Sequence, residues 1–193
     1  AIKHVRSQEN IESIKYMFLT NSENFLKKNK INKFSKLKKV FSISTDKAVY
    51  PKSILGYTKR MMENRLSQFK KNNQKVFVST VRFANVSFSN GSILKMIIDR
   101  VNRKEKIGIP DMIYRYFITH DEASTLCFKS LLKINDGCIL IPNKDILAKQ
   151  YSIKELCTRI LKVKKYNVNY TYTSNSRINK NTYVISLNKD KTD

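Results

Sequence analysis

Residues 40–86 read VFSISTDKAVYPKSILGYTKRMMENRLSQFKKNNQKVFVSTVRFANV. The mainly apolar run 40–43 stops at the polar group Ser44-Thr45-Asp46-Lys47, a pattern typical of a buried strand with functional groups at its carboxyl end. An amphipathic helix is predicted at 54–71 and a second strand at 76–86. The order strand, helix, strand predicts a parallel sheet, in which ligands bind at the carboxyl ends of the strands.

The rest of the chain continues this pattern. Apolar spacing and turn residues predict four further helices: one at 11–30, one that begins at Asn90-Gly91-Ser92 and runs to Lys104, one that Asp121 caps and that runs to Leu132, and one at 152–164. They also predict an extended segment at 107–109 and strands at 138–141 and 183–187. No internal repeat or low-complexity linker interrupts these elements. The sequence therefore predicts an α/β fold.

The chain carries 38 Lys and Arg residues against 15 Asp and Glu residues, which gives a formal net charge of +23. Such a charge favours nonspecific attraction to polyanions. The excess is mostly Lys and is spread from end to end, whereas Arg, the side chain that best reads base edges, is sparse. We therefore expect no specific nucleic-acid partner.

Hydrophobic residues make up 41% of the chain, and no run approaches the roughly 18 apolar residues of a membrane span, which predicts a soluble protein. Nothing near Ala1 has the order of a signal peptide, so we expect the chain to be internal to a longer one. Cys127, Cys138 and Cys157 are too few and too scattered for a disulfide framework or a C-x-x-C metal site. This predicts a cytoplasmic protein without a metal site.

The four glycines, Gly56, Gly91, Gly108 and Gly137, are too widely spaced to form G-x-G-x-x-G. The backbone N–H groups of such a loop normally hold the pyrophosphate of a dinucleotide. The usual pyrophosphate loop is therefore absent from this sequence.

The group Ser44-Thr45-Asp46-Lys47 places two hydroxyls, a carboxylate and an ammonium at one strand end, and Lys59 lies on the next predicted helix. A carboxylate beside an amine can divide acid and base work, because each affects the protonation of the other. The structural alternative is a loop with an ion pair and a solvated helix lysine. Spacing alone leaves both interpretations open.

Seven short motifs occur in a recognisable order: Lys3-His4-Val5, Thr20-Asn21, Ser44-Thr45-Asp46-Lys47-Ala48-Val49, Leu55-Gly56-Tyr57-Thr58-Lys59-Arg60, Arg82-Phe83-Ala84-Asn85-Val86, Ser89-Asn90-Gly91-Ser92 and Arg115-Tyr116-Phe117. Over about residues 1–130 they resemble the extended short-chain dehydrogenase/reductase superfamily, specifically its UDP-N-acetylglucosamine 4,6-dehydratase and polysaccharide-biosynthesis branch. The resemblance implies the second half of a Rossmann-like parallel sheet with a small mixed C-terminal lobe. Residues 1–86 would be the C-terminal half of the NAD-binding domain with the catalytic residues, and 87–193 the substrate-binding lobe and C-terminal extension.

The resemblance further implies an NAD-dependent dehydration of a UDP-sugar without net redox change. Hydride leaves C4 of the sugar, a base removes the C5 proton while the C6 hydroxyl departs as water, and the hydride returns to C6. By position, Asp46 would be the acid at the departing hydroxyl, Lys47 the base at C5, and Thr45 a hydrogen-bonding group near the C4 oxygen. Lys59 would hold the nicotinamide ribose, and Asn21 would organise the proton-relay water.

The remaining residues that match the family pattern are expected to bind ligands. Ser44 joins Lys59 in contacting the cofactor, and His4, Asn85, Ser92 and Arg115 fall at substrate positions. Arg115 suits a nucleotide diphosphate because its guanidinium can donate two parallel hydrogen bonds. The resemblance also implies dimers or larger assemblies.

The sequence departs from the family at Leu55, where the superfamily usually has Tyr and this branch often has Met. Tyr57 lies about 200° further around a helix and is not expected to replace the missing phenol. Tyr50 stands where the family usually has Asn before Pro51. Without a cofactor loop, the dehydratase should be inactive as this chain alone. Two alternatives to it therefore remain. One is a 4-epimerase, which needs the absent tyrosine, and the other is a noncatalytic nucleotide-sugar or polyanion-binding relative.

Overall fold

The computed structural model describes residues 10–24, 36–105, 107–110, 112–143, 149–163 and 170–173. The chain forms two compact units, of which the first comprises Ala1–Phe83 with Ser124–Pro142 and the second comprises Ala84–Ala123 with Asn143–Asp193. The chain passes from the first unit to the second after Phe83, close to the predicted boundary at residue 86. It belongs to the first unit again at Ser124–Pro142. The predicted division between catalysis and substrate binding stays a prediction.

The helices, in chain order, are α1 Ile11–Phe18, α2 Ile54–Asn72, α3 Ile93–Asn102, α4 His120–Leu132 and α5 Ile153–Val163. The strands are β1 Lys39–Thr45, β2 Phe77–Phe83, β3 Asn85–Val86, β4 Ile107–Pro110, β5 Tyr114–Arg115, β6 Phe117–Ile118, β7 Ile139–Leu140, β8 Tyr151–Ser152 and β9 Tyr170–Thr173. Two short helical turns also matter: a π-helical turn at Leu19–Glu23 directly after α1, and a 3-10 turn at Asp46–Ala48 directly after β1.

The first unit is built on a parallel sheet with the strand order β1-β2-β7. β1 and β2 pair along their whole length, from Lys39 with Phe77 to Thr45 with Phe83, so their carboxyl ends lie side by side. Helix α2 connects these two strands and contacts both, as the crossover helix of a parallel pair does. The predicted parallel α/β arrangement is confirmed.

Helix α2 is held to the sheet by an apolar stripe and begins at a defined cap. The hydroxyl of Ser53 accepts a hydrogen bond from the Gly56 N–H at 3.2 Å, which satisfies one of the free donors at the helix start. Met62 and Leu66 are buried along the helix, and Val78 and Val81 are buried in β2. The cap and the stripe together fix where the helix starts and how it faces the sheet.

The second unit contains three two-stranded pairings: β3 with β6 and β4 with β9, which are parallel, and β5 with β8, which is antiparallel. Its hydrophobic core is formed by Ile97, Val101, Ile107, Ile109, Ile113, Ile153, Cys157 and Leu161. Burial raises the pKa of the Cys157 thiol to about 12, so this side chain stays protonated and packs as a small hydrophobe.

The prediction of one continuous strand at 76–86 is wrong. β2 ends at Phe83, and the next strand, β3, pairs instead with β6. Both the backbone N–H and the side-chain amide of Asn85 donate to the carbonyl of Tyr116, at 3.3 and 3.0 Å. β3 therefore belongs to the second unit, whereas β2 belongs to the first.

The prediction that Asp121 caps α4 is also wrong. Thr119, and not Asp121, makes the capping contacts: its hydroxyl accepts from the Glu122 N–H at 3.1 Å, and the Glu122 carboxylate accepts from the Thr119 N–H at 2.6 Å. This reciprocal pair is a capping box, which satisfies two donors at once.

The helix predicted at 11–30 is present as α1 followed by the π-helical turn as far as Glu23. Residues 25–30 and the strand predicted at 183–187 lie outside the described residues.

Candidate active site

The carboxylate of Asp46 gathers three hydrogen bonds at the carboxyl end of β1. Its Oδ1 accepts from the Thr45 hydroxyl at 2.7 Å, from the Lys47 backbone N–H at 2.9 Å and from Lys47 Nζ at 3.0 Å. The tight 3-10 turn makes this possible, because it folds adjacent residues back onto one another. The described residues place no donor on Oδ2, and the side chains of Lys47 and Asp46 are 29% and 19% exposed. A ligand can therefore reach both.

Lys59 lies on α2, where its side chain is only 7% exposed, and its Nζ donates to the carbonyl of Ile43 in β1 at 2.8 Å. Burial lowers the pKa of Lys59 from its ordinary value of 10.5 to about 8, and the nearby Glu63 carboxylate opposes that change. The alternative interpretation of Lys59 as a solvated helix lysine is therefore wrong. The Asp46–Lys47 ion pair, by contrast, is present.

Asn21 lies in the π-helical turn, is 2% exposed, and donates from Nδ2 to the hydroxyl of Thr58 at 3.2 Å. The Thr58 hydroxyl in turn donates to the carbonyl of Leu55 at 3.1 Å. Because Thr58 precedes Lys59 directly, this chain of bonds attaches Asn21 to the part of α2 that carries the buried lysine. Short π-helical segments of this kind are often found at functional sites.

Ser44 is buried, and its hydroxyl has no hydrogen-bond partner among the described residues. The neighbouring hydroxyl on the same face of β1, that of Ser42, is satisfied by Thr80 at 2.8 Å. An unsatisfied buried hydroxyl costs free energy and calls for an explanation such as a ligand. The position predicted to contact the cofactor is thus one that lacks a partner in the protein.

Gly56 sets how closely α2 approaches the 3-10 turn. A Cβ at this position would lie 2.6 Å from the carbonyl oxygen of Lys47 and 3.3 Å from Cα of Pro51. A side chain of any size would therefore push the turn away from the helix. The sequence signal for this contact was an isolated glycine inside a helical pattern, which often marks close packing.

The expectation that no phenol replaces Leu55 stays a prediction. Leu55 is buried at 7% exposure, whereas Tyr57 and Tyr50 are each 56% exposed.

The first unit contains a further charged pair that the sequence did not predict. Glu63, 6% exposed, binds Arg82 of β2 through both oxygens, at 2.8 and 2.6 Å.

The predicted substrate residues lie in the second unit or outside the described residues. Asn85 bonds Tyr116 as described above, the hydroxyl of Ser92 caps α3 by accepting from the Lys95 N–H at 3.3 Å, and Arg115 Nη1 donates to the carbonyl of Tyr114 at 3.0 Å. His4 lies outside the described residues. Each of the three described residues thus has a structural hydrogen bond, and their substrate roles stay predictions.

The second unit also has a half-open groove of about 610 Å³. It is lined by Ser87, Phe88, Leu94, Ile98, Phe117, Ile118, Thr119, Glu122, Lys149, Tyr151, Leu156, Arg159, Ile160 and Val163. The rings of Phe117 and Tyr151 meet edge to face at 6.5 Å, and Lys149 Nζ lies 5.7 Å from the centre of the Tyr151 ring. This volume and mixture of aromatic and charged groups suit a small-molecule ligand.

Across the part of the chain that the structure describes, no group of three or more His, Cys, Asp or Glu residues could hold a metal ion. Within the same residues, no helix has the length and apolar character that crossing a bilayer requires.

Two curated relatives match part of the chain. The capsular polysaccharide biosynthesis protein CapD of Staphylococcus aureus is 29% identical over 133 residues, which cover 68% of this chain and 22% of CapD. The UDP-glucose 4-epimerase of Rickettsia bellii is 33% identical over 92 residues, which cover 47% of this chain and 26% of the epimerase. The matched region is therefore only about a quarter of either relative.

Among solved structures, Pen from Bacillus thuringiensis matches with a TM-score of 0.76 and 25% identity, over 91% of this chain and 53% of Pen. The dTDP-glucose 4,6-dehydratase DesIV of Streptomyces venezuelae, solved with NAD bound, matches with a TM-score of 0.74 and 13% identity, over 89% of this chain and 58% of DesIV. The fold is thus that of the Rossmann-type sugar-nucleotide enzymes.

The family model described as polysaccharide biosynthesis protein matches residues 1–182, which is nearly the whole sequence. Together with the motif order and the parallel sheet, this match shows that the chain belongs to the polysaccharide biosynthesis protein family of extended short-chain dehydrogenases/reductases.

Proposed function

We propose that this chain carries the acid–base residues of a UDP-N-acetylglucosamine 4,6-dehydratase that acts in surface-polysaccharide or nonulosonic-acid biosynthesis. The observation that carries the proposal is the Asp46–Lys47 contact of 3.0 Å at the carboxyl end of β1, with the buried Lys59 bonded to the same strand. Ligands of parallel α/β sheets bind at that end of the strands. The chain spans 53% of Pen and 58% of DesIV, and the activity of a whole protein of that kind is therefore a proposal.

The Asp46–Lys47 contact supports a paired acid and base. A single proton shift from Lys47 Nζ to the Asp46 carboxylate produces a neutral amine and a carboxylic acid together. The amine can then remove the C5 proton while the acid protonates the departing C6 hydroxyl, and the pair returns to ammonium and carboxylate as water leaves. No proton is gained or lost overall in this elimination step.

Part of the first unit fits a dinucleotide. Ser44 offers a buried hydroxyl without a partner among the described residues, and the Lys59 ammonium has donors beyond the one that Ile43 accepts. These two side chains would hold the nicotinamide ribose. When bound, NAD supplies the hydride acceptor and donor of the reaction. The pyrophosphate requires a glycine-rich loop that this sequence lacks, so we expect this chain to be inactive without the remainder of the protein.

The nucleotide end of the substrate is proposed to bind in the second unit. Its aromatic side chains, Phe88, Phe117 and Tyr151, are suited to a base, and the cations Lys149 and Arg159 are suited to phosphate oxygens. Arg115, Asn85 and Ser92 are the residues that the family resemblance assigns to the substrate.

A 4-epimerase is the alternative enzyme, since the matched part of the Rickettsia bellii relative comes from a protein of that name. Leu55 argues against it, because a buried leucine cannot take the proton that an epimerase tyrosine accepts. A noncatalytic binding protein is the other alternative, and the net charge of +23 is the feature that favours it.

The test is to express this chain joined to its upstream coding sequence and to incubate the product with UDP-N-acetylglucosamine and NAD. Mass spectrometry is expected to show the loss of one water from the sugar. The variant Lys47→Ala should abolish that loss, whereas Lys71→Ala, an exposed lysine on α2, should leave it unchanged. A joined protein without turnover, or one that releases the 4-epimer, would reject the proposal.

A further inference from the structure

A buried ion pair joins α2 to β2 one helical turn after Lys59. Glu63 is 6% exposed, and its two oxygens accept from Arg82 Nε at 2.8 Å and Arg82 Nη2 at 2.6 Å. A second guanidinium, that of Arg60, lies 3.8 Å from the same carboxylate and is 47% exposed. The two-point contact with Arg82 fixes the orientation of the Glu63 side chain.

Glu63 follows Lys59 by four positions, so the two side chains lie on the same face of α2. Both are buried, and a buried ammonium loses hydration, which favours its neutral form. Burial accordingly lowers the pKa of Lys59 to about 8, and the attraction of Glu63 works in the opposite direction. The charge of Lys59 near neutral pH therefore depends on this carboxylate.

Other charged groups on the elements that contact α2 are engaged with one another or exposed. Asp46 and Lys47 pair within the 3-10 turn, and Glu23 of the π-helical turn pairs with Arg65 of α2. The remaining charged side chains on these elements are Glu12 and Lys15 of α1 and Lys39 of β1, all exposed. Among the described residues, Glu63 is the carboxylate that attracts Lys59.

We propose that Glu63, held by Arg82, is a positioning residue that keeps the Lys59 ammonium charged where it donates to β1. The inference rests on the role given to Lys59 under Proposed function. A charged ammonium donates three hydrogen bonds, of which Ile43 receives one, and the others remain for ribose hydroxyls. Arg82 occupies both oxygens of Glu63, so the carboxylate attracts Lys59 without taking those donors.

The test is an NMR titration of this chain alone, with lysines labelled with ¹³C at Cε and the Lys59 signal assigned by its absence in Lys59→Arg. In Glu63→Gln we expect the Lys59 midpoint to fall by about one pH unit. Glu23→Gln is the matched control, because it removes the other Glu–Arg pair of α2 and should leave the midpoint unchanged. An unchanged midpoint in Glu63→Gln, or an equal fall in both variants, overturns the inference.

Removing Glu63 alone leaves Arg82 buried without its partner, which destabilises the fold. The double variant Glu63→Gln with Arg82→Gln removes the pair as a unit and provides a second measurement. Its Lys59 midpoint should also fall, and a midpoint at or above that of the natural chain overturns the inference. Since the titration needs neither substrate nor NAD, its result is independent of whether the joined protein dehydrates UDP-N-acetylglucosamine.

Discussion

The hydroxyl of Thr45 donates to Asp46 at 2.7 Å, which leaves the Thr45 oxygen as an acceptor. We propose that this oxygen accepts a hydrogen bond from the C4 hydroxyl of the sugar, the contact that the family resemblance implies. The buried Lys59 next to this strand would stabilise negative charge that develops at C4.

The unsatisfied hydroxyl of Ser44 gives a prediction about stability. Ser44→Ala should leave the free energy of unfolding of this chain within about 0.5 kcal/mol of the natural value or raise it, because no described partner is lost. Ser42→Ala is the control and should lower it by about 1 kcal/mol or more, because Thr80 loses its partner. Urea unfolding followed by circular dichroism measures both. A large loss in Ser44→Ala would show that the hydroxyl is already bonded within the protein.

Lys59 gives a prediction about pH. Its pKa is about 8 in the folded chain and near 10.5 when solvated, so between these values the unfolded state binds more protons and stability rises with pH. The contribution grows by up to about 3 kcal/mol from pH 8 to pH 10.5. The unfolding free energy of the natural chain, minus that of Lys59→Met at each pH, isolates this effect from other groups. A flat difference over that window would contradict the burial of the ammonium.

At the scale of elements, the position of Lys47 depends on the contact between α2 and the 3-10 turn. Gly56→Ala should destabilise the chain by about 1 to 3 kcal/mol, because the added Cβ would meet the backbone carbonyl of Lys47 at 2.6 Å. That net loss already includes the gain of about 1 kcal/mol that alanine usually brings to a helix. Gly108→Ala is the control, since its Cβ would meet nothing within 4 Å. Equal stabilities of the two variants, measured by urea unfolding, would contradict the close approach.

The elements with strong local signals could be predicted from the sequence. The apolar run of β1, its polar end and the amphipathic α2 all depend on residues that are neighbours in the chain. The motif order singled out the Asp46–Lys47 group, whose catalytic role stays a prediction. What the sequence did not predict depends on distant partners. The break after Phe83 follows from Asn85 bonding Tyr116, and the Glu63–Arg82 pair joins residues on different elements. No local pattern marks either contact.

At the scale of the whole molecule, the proposed chemistry needs a cofactor loop that this sequence does not contain. The chain covers 53% of Pen and 58% of DesIV, and its four glycines cannot form the loop that holds a pyrophosphate. We therefore expect Asp46 and Lys47 to act only when the remainder of the protein supplies that loop. The charge of +23 should meanwhile give this chain salt-sensitive attraction to polyanions.

The proposed role of Lys47 as the base is tested by running the joined protein with UDP-N-acetylglucosamine and NAD in D₂O and analysing the product by NMR and mass spectrometry. We expect a dehydrated sugar with deuterium at C5, because a base exchanges the proton that it removes there, and no dehydration in Lys47→Met. Dehydration that survives Lys47→Met would contradict the assignment of the base to this residue.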